Sequence, residues 1–259
     1  MTTSIKYYTF ITDNLPNYVV DMHKEVCKFM EVDVEYHVEK YIEPYDGKSE
    51  GWDGPLWPAY RQHGEYMDHV LETSKDDVIG FLDIDCLPYR KVEFHQCADW
   101  VKQFKTFLGN AQNISHTQNR NFIYASASHL VVHKDYWKEV KEEIPKMNMK
   151  PTMSYRLEKG KPQIDTAQIL SIHANQKGTD YQCFLPVGYD WGDPIRMGPY
   201  GVYSKGTMYP FTWHLQRISE LFNNDELKKI WMERCLDILE ERHMAPKYSF
   251  TPYRVWGVI

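Results

Sequence analysis

Two aspartates one residue apart, Asp83 and Asp85, follow an apolar run in the stretch VIGFLDIDCLP, residues 78–88. Residues i and i+2 of a strand face the same way, so a strand that persists through Asp85 projects both carboxylates together. In open parallel sheets, ligands sit beyond the carboxyl ends of the strands, and two carboxylates there suit a hard divalent cation. Such a cation takes oxygens from a diphosphate and, as a Lewis acid, eases its departure. The plain alternative is a strand that ends in water. With 18 aspartates in 259 residues, about one D-x-D spacing arises by chance.

The surrounding elements favour a built site. Ile5–Thr12 (IKYYTFIT) reads as a first strand, rich in β-branched and aromatic residues. Asp13 and Asn14 turn the chain, Pro16 suits the first turn of a helix running to about Met30, and Val32–Val38 alternates like a second strand. This is a β-α-β unit. A loop punctuated by Gly47, Gly51, Gly54, Pro55 and Pro58 leads to a helix over 59–73, and Val78–Leu82 then supplies a buried strand and a second crossover, closed by Pro88. Beyond it the pattern predicts helices over 99–108, 136–143 and 164–174, with a strand over 122–132. The stretch 178–205 looks irregular. An amphipathic helix follows over 225–243, with Asn224 to cap it and Pro246 past its end. No linker divides the chain, so the expectation is one α/β domain on one continuous sheet.

Composition is that of a soluble globular protein, with 42% hydrophobic and 25% charged residues. No apolar run approaches the ~18 residues of a membrane span, and MTTSIKYYTF lacks the layout of a signal peptide. Five scattered cysteines without a C-x-x-C pair read as reduced thiols, hence a cytoplasmic protein. The net charge of −6 is uneven: residues 1–85 hold 18 acids against 7 bases, and the remainder holds 18 against 23. No acid occurs between Asp99 and Asp135, where Lys102, Lys105, Arg120 and Lys134 stand. That half either faces an anionic ligand or reflects ordinary variation of surface charge.

F-L-D-I-D-C-L-P after an opening β-α-β resembles the metal-binding D-x-D segment of the GT-A glycosyltransferases. The resemblance implies a GT-A-like, mostly parallel central sheet flanked by helices. Residues 1–90 would form the nucleotide- and metal-binding half and 91–259 the acceptor-binding half. It implies Mn²⁺ or Mg²⁺ and a nucleoside-diphospho-sugar, a UDP-sugar by default. Thr12, Asp13 and Asn14 would lie near base or ribose. Asp83 would lie near ribose or bound water at the metal, and Asp85 would be the direct ligand. The segment YPFTWHLQ (209–216) resembles the late histidine that completes the metal site, making His214 a ligand through neutral imidazole. Lys205 would contact the diphosphate. NFIYASASHLVVHKDYW (121–137) is similar to the strand beside the donor sugar, with Ser126 and Ser128 facing it; a tightly packed strand explains the same serines. QIDTAQ (163–168) resembles the acidic segment that holds the general base of inverting members, which assigns Asp165, although Asp165-x-x-Gln168 is also a capping box. Trp57 and Trp191, in loops with Trp52 and Tyr189, offer faces for a base or sugar ring, and Arg61 would reach phosphate or base. The chain lacks the H-x-x-G-x-x-K signature of the best-defined subfamilies, so subfamily and stereochemistry stay open.

The leading expectation is a metal-dependent glycosyltransferase acting on a saccharide or other glycan hydroxyl. The acid-free stretch raises a variant, a phage-type enzyme that glycosylates hydroxymethylated bases in DNA. A sugar nucleotidyltransferase would carry a Gly-rich basic loop where this chain has TDNLPNY. A non-catalytic nucleotide-binding module is the remaining class.

Overall fold

The computed structural model describes residues 5–41, 58–113, 123–156, 164–186, 197–204, 207–215 and 225–241. Strand β1 (Lys6–Thr12) alternates in burial, with Tyr7, Thr9 and Ile11 turned inward. Helix α1 (Asn17–Phe29) buries Val19, His23, Val26 and Cys27, a stripe at helical spacing. It returns the chain to β2 (Asp33–Glu39), which pairs parallel with β1 from Lys6 opposite Asp33 to Thr12 opposite Glu39. Helix α2 (Pro58–Thr73) then crosses to β3 (Val78–Leu82), every residue of which is buried and which lies parallel on the other side of β1. Both expected β-α-β crossovers are therefore present.

The rest of the chain extends the same sheet. Strand β4 (Cys86–Pro88) follows β3 after three residues, and then come α3 (Lys91–Phe104), β5 (Phe107–Asn113), β6 (Ile123–His133) and α4 (Lys134–Glu143). A short 3-10 turn (Ile144–Met147), α5 (Gln168–Lys177), β7 (Gln182–Pro186), β8 (Met197–Ser204), β9 (Thr207–Leu215) and α6 (Asp225–Leu239) complete the described elements. The strand order is β2-β1-β3-β6-β5-β7-β8-β9-β4. The β1–β2, β1–β3 and β5–β7 pairs are parallel; β6 runs antiparallel to both its neighbours, as do the pairs among β7, β8, β9 and β4. One apolar core lies between the sheet and α1, α3 and α6, and a second lies between the sheet and α2, α4 and α5. No helix among the described residues is long and apolar enough to cross a membrane.

Three local expectations are corrected. The helix expected over 99–108 is α3, which starts at Lys91 and ends where Lys105 takes a left-handed backbone (φ 50°), after which the chain enters β5. The helix expected from Ile164 begins only at Gln168, because Ile164 pairs with Arg156 as an isolated bridge. Within 178–205, expected to be irregular, lie β7 and β8. Strand pairing, which local pattern does not encode, decides these cases.

Sheet order and chain continuity together force a curl. Strands β3 and β4 are six places apart in the sheet, about 29 Å if it were flat at ~4.8 Å per strand. Yet only Asp83, Ile84 and Asp85 join them, and four residue steps reach at most about 14 Å. The sheet must roll until its last strand returns to the end of β3. The acid pair occupies that closure.

Candidate functional site

The strand does not persist through the acid pair. It ends at Leu82, and residues 83–86 form a turn in which Cys86 N–H donates to the Asp83 carbonyl at 2.9 Å. The two carboxylates share a site because of this turn, and strand alternation does not bring them together. Each has its own histidine: His214 Nε2 lies 3.3 Å from Asp85 Oδ1, and His63 Nε2 lies 3.5 Å from Asp83 Oδ1.

His214 arrives through sheet register, since β9 pairs antiparallel with β4 and puts His214 opposite Cys86. Asp85 and His214 are both buried. Burial works against protonation of His214, but the adjacent Asp85, with help from Asp83, outweighs it and lifts the imidazole above its usual range. Burial likewise pushes the Asp83 carboxyl up. His63 opposes that and Asp85 adds to it; more weakly, His214 also opposes the rise and Asp165 also adds to it. Asp165 therefore lies within electrostatic reach of the pair.

The donor set fits a divalent cation. Ligands at about 2.1 Å from an octahedral metal lie about 3 Å apart at right angles, close to the 3.3 Å between Asp85 Oδ1 and His214 Nε2. Asp83 stands slightly apart with His63. It does not form with the other two the kind of tight cluster made by Glu139, Glu143 and His173, whose ligand atoms lie within 4.8 Å of one another. That second cluster already holds a cation, the Lys177 ammonium at 3.0 Å from Glu139 and 2.6 Å from Glu143.

Asp165 sits at the mouth of α5 with both oxygens engaged. Oδ2 accepts from the Tyr124 hydroxyl and from Gln112 Nε2 at 3.2 Å, and Oδ1 accepts from Thr166 N–H at 2.8 Å. The capping box is half made: Gln168 Oε1 accepts from Asp165 N–H at 2.7 Å, but the Asp165 side chain bonds Thr166 N–H instead of the helix. Burial raises the Asp165 carboxyl, and the Tyr124 and Thr166 hydrogen bonds act against that rise.

Beneath the pair, β6 carries a bulge. Gly109 pairs with Leu130 while Asn110 pairs with Ser126, so Ala127, Ser128 and His129 have no partner on β5. Gly109 permits this, since a Cβ there would stand 2.7 Å from the His129 carbonyl. The bulge turns the Ser128 carbonyl to accept Asp83 N–H at 2.9 Å, and the Ser126 and Ser128 hydroxyls meet at 2.9 Å. Both serines are buried.

Register places Tyr8 opposite Phe81, so the chain from Phe10 to Asn14 overhangs the acid pair. Thr12 Oγ1 donates to Asn14 Oδ1 at 2.7 Å, and Asp13 Oδ1 accepts Tyr41 N–H at 2.8 Å. Two stacked ring pairs lie on this overhang, Phe10 with His63 at 5.3 Å and His37 with Tyr66 at 4.2 Å. Sequence reading missed His63. Its only local signal was a histidine beside Gly64, which lets α2 press directly on Ser154. Trp57, Trp191 and Lys205 lie outside the described residues, as does the side chain of Arg61. In the acid-free stretch, Lys105 pairs with Asp135 at 3.2 Å and Lys134 donates to the Ser74 carbonyl, which engages two of its four cations with protein.

The opening crossovers, the acid turn at the carboxyl end of β3 and the histidine returned by β9 together make one mixed α/β sheet flanked by helices, with the acid pair at a strand end. No family model and no curated protein sequence matches the chain. Among solved structures, it is similar to the glycosyltransferase GlyE of Streptococcus pneumoniae at 11% identity and a TM-score of 0.45, covering 92% of this chain and 63% of that one. It is also similar to the galactosyltransferase LgtC in complex with donor and acceptor sugar analogues (13%, 0.44, 94% and 98%). A third likeness is to a Drosophila β-1,4-galactosyltransferase 7 variant in complex with manganese, UDP-Gal and xylobiose (10%, 0.39, 83% and 73%).

Proposed function

We propose that this chain is a metal-dependent glycosyltransferase that moves a sugar from a nucleoside-diphospho-sugar, by default a UDP-sugar, to the hydroxyl of a glycan acceptor. The observation that carries the reading is the pairing of buried Asp85 with His214 at 3.3 Å, where the curled sheet closes beside Asp83 and Asp165. Asp85 and His214 would hold Mn²⁺ or Mg²⁺, which supplies Lewis-acid screening of the departing diphosphate when bound. Asp83, backed by the Ser128 carbonyl and His63, takes the ribose or a metal-bound water. Thr12, Asp13 and Asn14 border the base and ribose, and Ser126 and Ser128 lie on the donor-sugar side. In this reading residues 1–90 form the donor half and 91–259 the acceptor half.

Asp165 has the role of orienting, and in an inverting reaction deprotonating, the acceptor hydroxyl. A general base must sit within hydrogen-bond reach of its proton. Three fixed donors hold this carboxylate in one orientation, and its burial makes it a stronger base than a solvated aspartate.

The test is thermal denaturation with UDP, GDP, CDP, ADP and dTDP, each with and without Mn²⁺ or Mg²⁺, on the wild type and Asp85→Asn. A ligand at 100 times its Kd stabilises by about 2.7 kcal/mol, roughly 5 °C for a chain of 259 residues. One diphosphate should give a metal-dependent rise that Asp85→Asn abolishes. A folded protein that answers to no nucleotide would overturn the proposal.

A further inference from the structure

We propose that Asn110 is a positioning residue that fixes the distance between Asp85 and His214, and so sets the affinity of the site for its divalent cation. The inference rests on the metal reading above and goes beyond it to a residue that touches neither ligand.

Asn110 lies on β5, in the middle of the sheet, and is completely buried. Burying an amide in an apolar interior costs free energy unless its donors and acceptor are matched, and here all are used. Its Nδ2 donates to Ser128 Oγ at 3.2 Å and to Cys86 Sγ at 3.5 Å, and its Oδ1 accepts from Thr212 Oγ1 at 3.0 Å. These three partners belong to β6, β4 and β9. Two of those strands, β9 and β4, are three and four places from β5 in the sheet order, so Asn110 bridges the interior of the curl and does not merely bond to a neighbouring strand.

Each partner adjoins a site residue. Cys86 follows Asp85 directly, and Thr212 lies two residues before His214, on the same strand and inward like it. Ser128 is the bulge residue whose carbonyl holds Asp83 N–H. One amide thus ties the Asp85 segment, the His214 strand and the Asp83 support to a single rigid point. The strand pairings at the β4–β9 edge are short: β4 has three residues, and on the other side of the hairpin β7 pairs with β8 through two residue pairs among the described residues; His23 on α1 adds a contact to the Cys86 carbonyl at 3.2 Å. Groups that orient metal ligands without touching the metal typically carry 10–100-fold in affinity.

The experiment is Mn²⁺ titration of the full chain, read from the free-ion EPR signal, alongside thermal melts. The variants are Asn110→Leu, Thr212→Val, their double variant, and Val140→Ala as a control in the core of α4, away from the site. Asn110→Leu should weaken Mn²⁺ binding at least tenfold. Thr212→Val should weaken it in the same direction, and the double variant should lose less than the sum of the two. Val140→Ala should lower the melting temperature with unchanged Mn²⁺ affinity, which separates positioning from general destabilisation. If Asn110→Leu does not fold, Thr212→Val alone decides. Folded Asn110→Leu or Thr212→Val that binds Mn²⁺ as tightly as the wild type overturns the positioning role and leaves the metal site standing. A wild type that binds neither Mn²⁺ nor Mg²⁺ overturns both.

Discussion

His129 gives the sharpest test of the packing under the site. It is completely buried, and neither ring nitrogen has a hydrogen-bond partner among the described residues. Its ring stacks between those of Phe94 at 4.9 Å, Tyr7 at 5.9 Å and Phe184 at 5.9 Å. Such a cage admits only the neutral imidazole, and burial pushes its pKa down to about 3 from the ordinary 6.5. The folded state therefore takes up almost no proton at pH 5, while the unfolded chain is almost fully protonated there. Where the unfolded state binds more protons, stability rises with pH, so this contribution is complete above pH 6.5 and is lost as pH falls below it. Between pH 8 and pH 5 the loss is about 2 kcal/mol, or about 4 °C in Tm for 259 residues. Other groups titrate too, Asp83 and Asp165 with the opposite sign, so the comparison has to be between variants. His129→Phe keeps the aromatic stack and cannot take up a proton. Any overpacking by the larger ring acts equally at both pH values, so the Tm difference between pH 8 and pH 5 should shrink by about 4 °C relative to the wild type, measured by calorimetry at constant ionic strength. An unchanged pH dependence would refute the reasoning, because it would mean that His129 finds a proton or a partner in the folded state.

Other substitutions probe the scaffold around the site. Gly109→Ala sets a methyl 2.7 Å from the His129 carbonyl and 3.2 Å from that of Ser126, backbone atoms that cannot rotate aside; it should cost about 1–3 kcal/mol and weaken whatever binds at Asp83, which urea melts and nucleotide titrations would show. Gly64→Ala drives a methyl to 2.2 Å from Ser154 Cα, a tighter clash than that at Gly109, so a larger Tm loss is expected, together with weaker nucleotide binding, because the neighbouring His63 stands against Asp83. Asp68 accepts from Thr152 Oγ1 and from Met153 N–H at 2.8 Å, and burial, only partly offset by these bonds, lifts its carboxyl to about 6 from 3.8. Its contribution to stability is therefore fully present below pH 3.8 and lost as pH rises through 6. Asp68→Asn keeps the Met153 bond through its amide oxygen and reverses the other, its amide N–H donating to Thr152 Oγ1; it should stabilise by up to about 3 kcal/mol at pH 8 and about half of that at pH 5, and the same stabilisation at both would refute the assignment.

Periodicity made the first half of the fold legible. The stripe on α1, the alternation of β1 and the unbroken apolar run of β3 are each encoded within a few residues. The second half was less so. Strand β5 reads FLGNAQN, in which Gly109 serves the bulge and Asn110 serves the curl, and neither looks like a strand residue in isolation. Strands β7 and β8 owe their identity to partners far along the chain. The acid pair drew attention because its residue types suit a cation, but the turn that unites the two carboxylates was invisible until β3 was seen to stop at Leu82. His63 went unnoticed because one histidine on a helix face carries no periodic signal; its place beside Asp83 depends on how α2 crosses the sheet.

The rolled sheet also bears on the order of folding. Asp85 and His214 are 129 positions apart in the chain, and they meet only when β9 has returned to the strand that follows β3. Contacts of such long sequence separation are slow to form. The parallel β1–β2–β3 unit has most of what it needs within its own segment, whereas the β4–β9 edge waits for nearly the whole polypeptide. An interaction absent from the folding transition state slows unfolding rather than speeding folding. A cation clasped between Asp85 and His214 would then act as a latch on the finished structure, lengthening its lifetime while leaving its rate of formation unchanged.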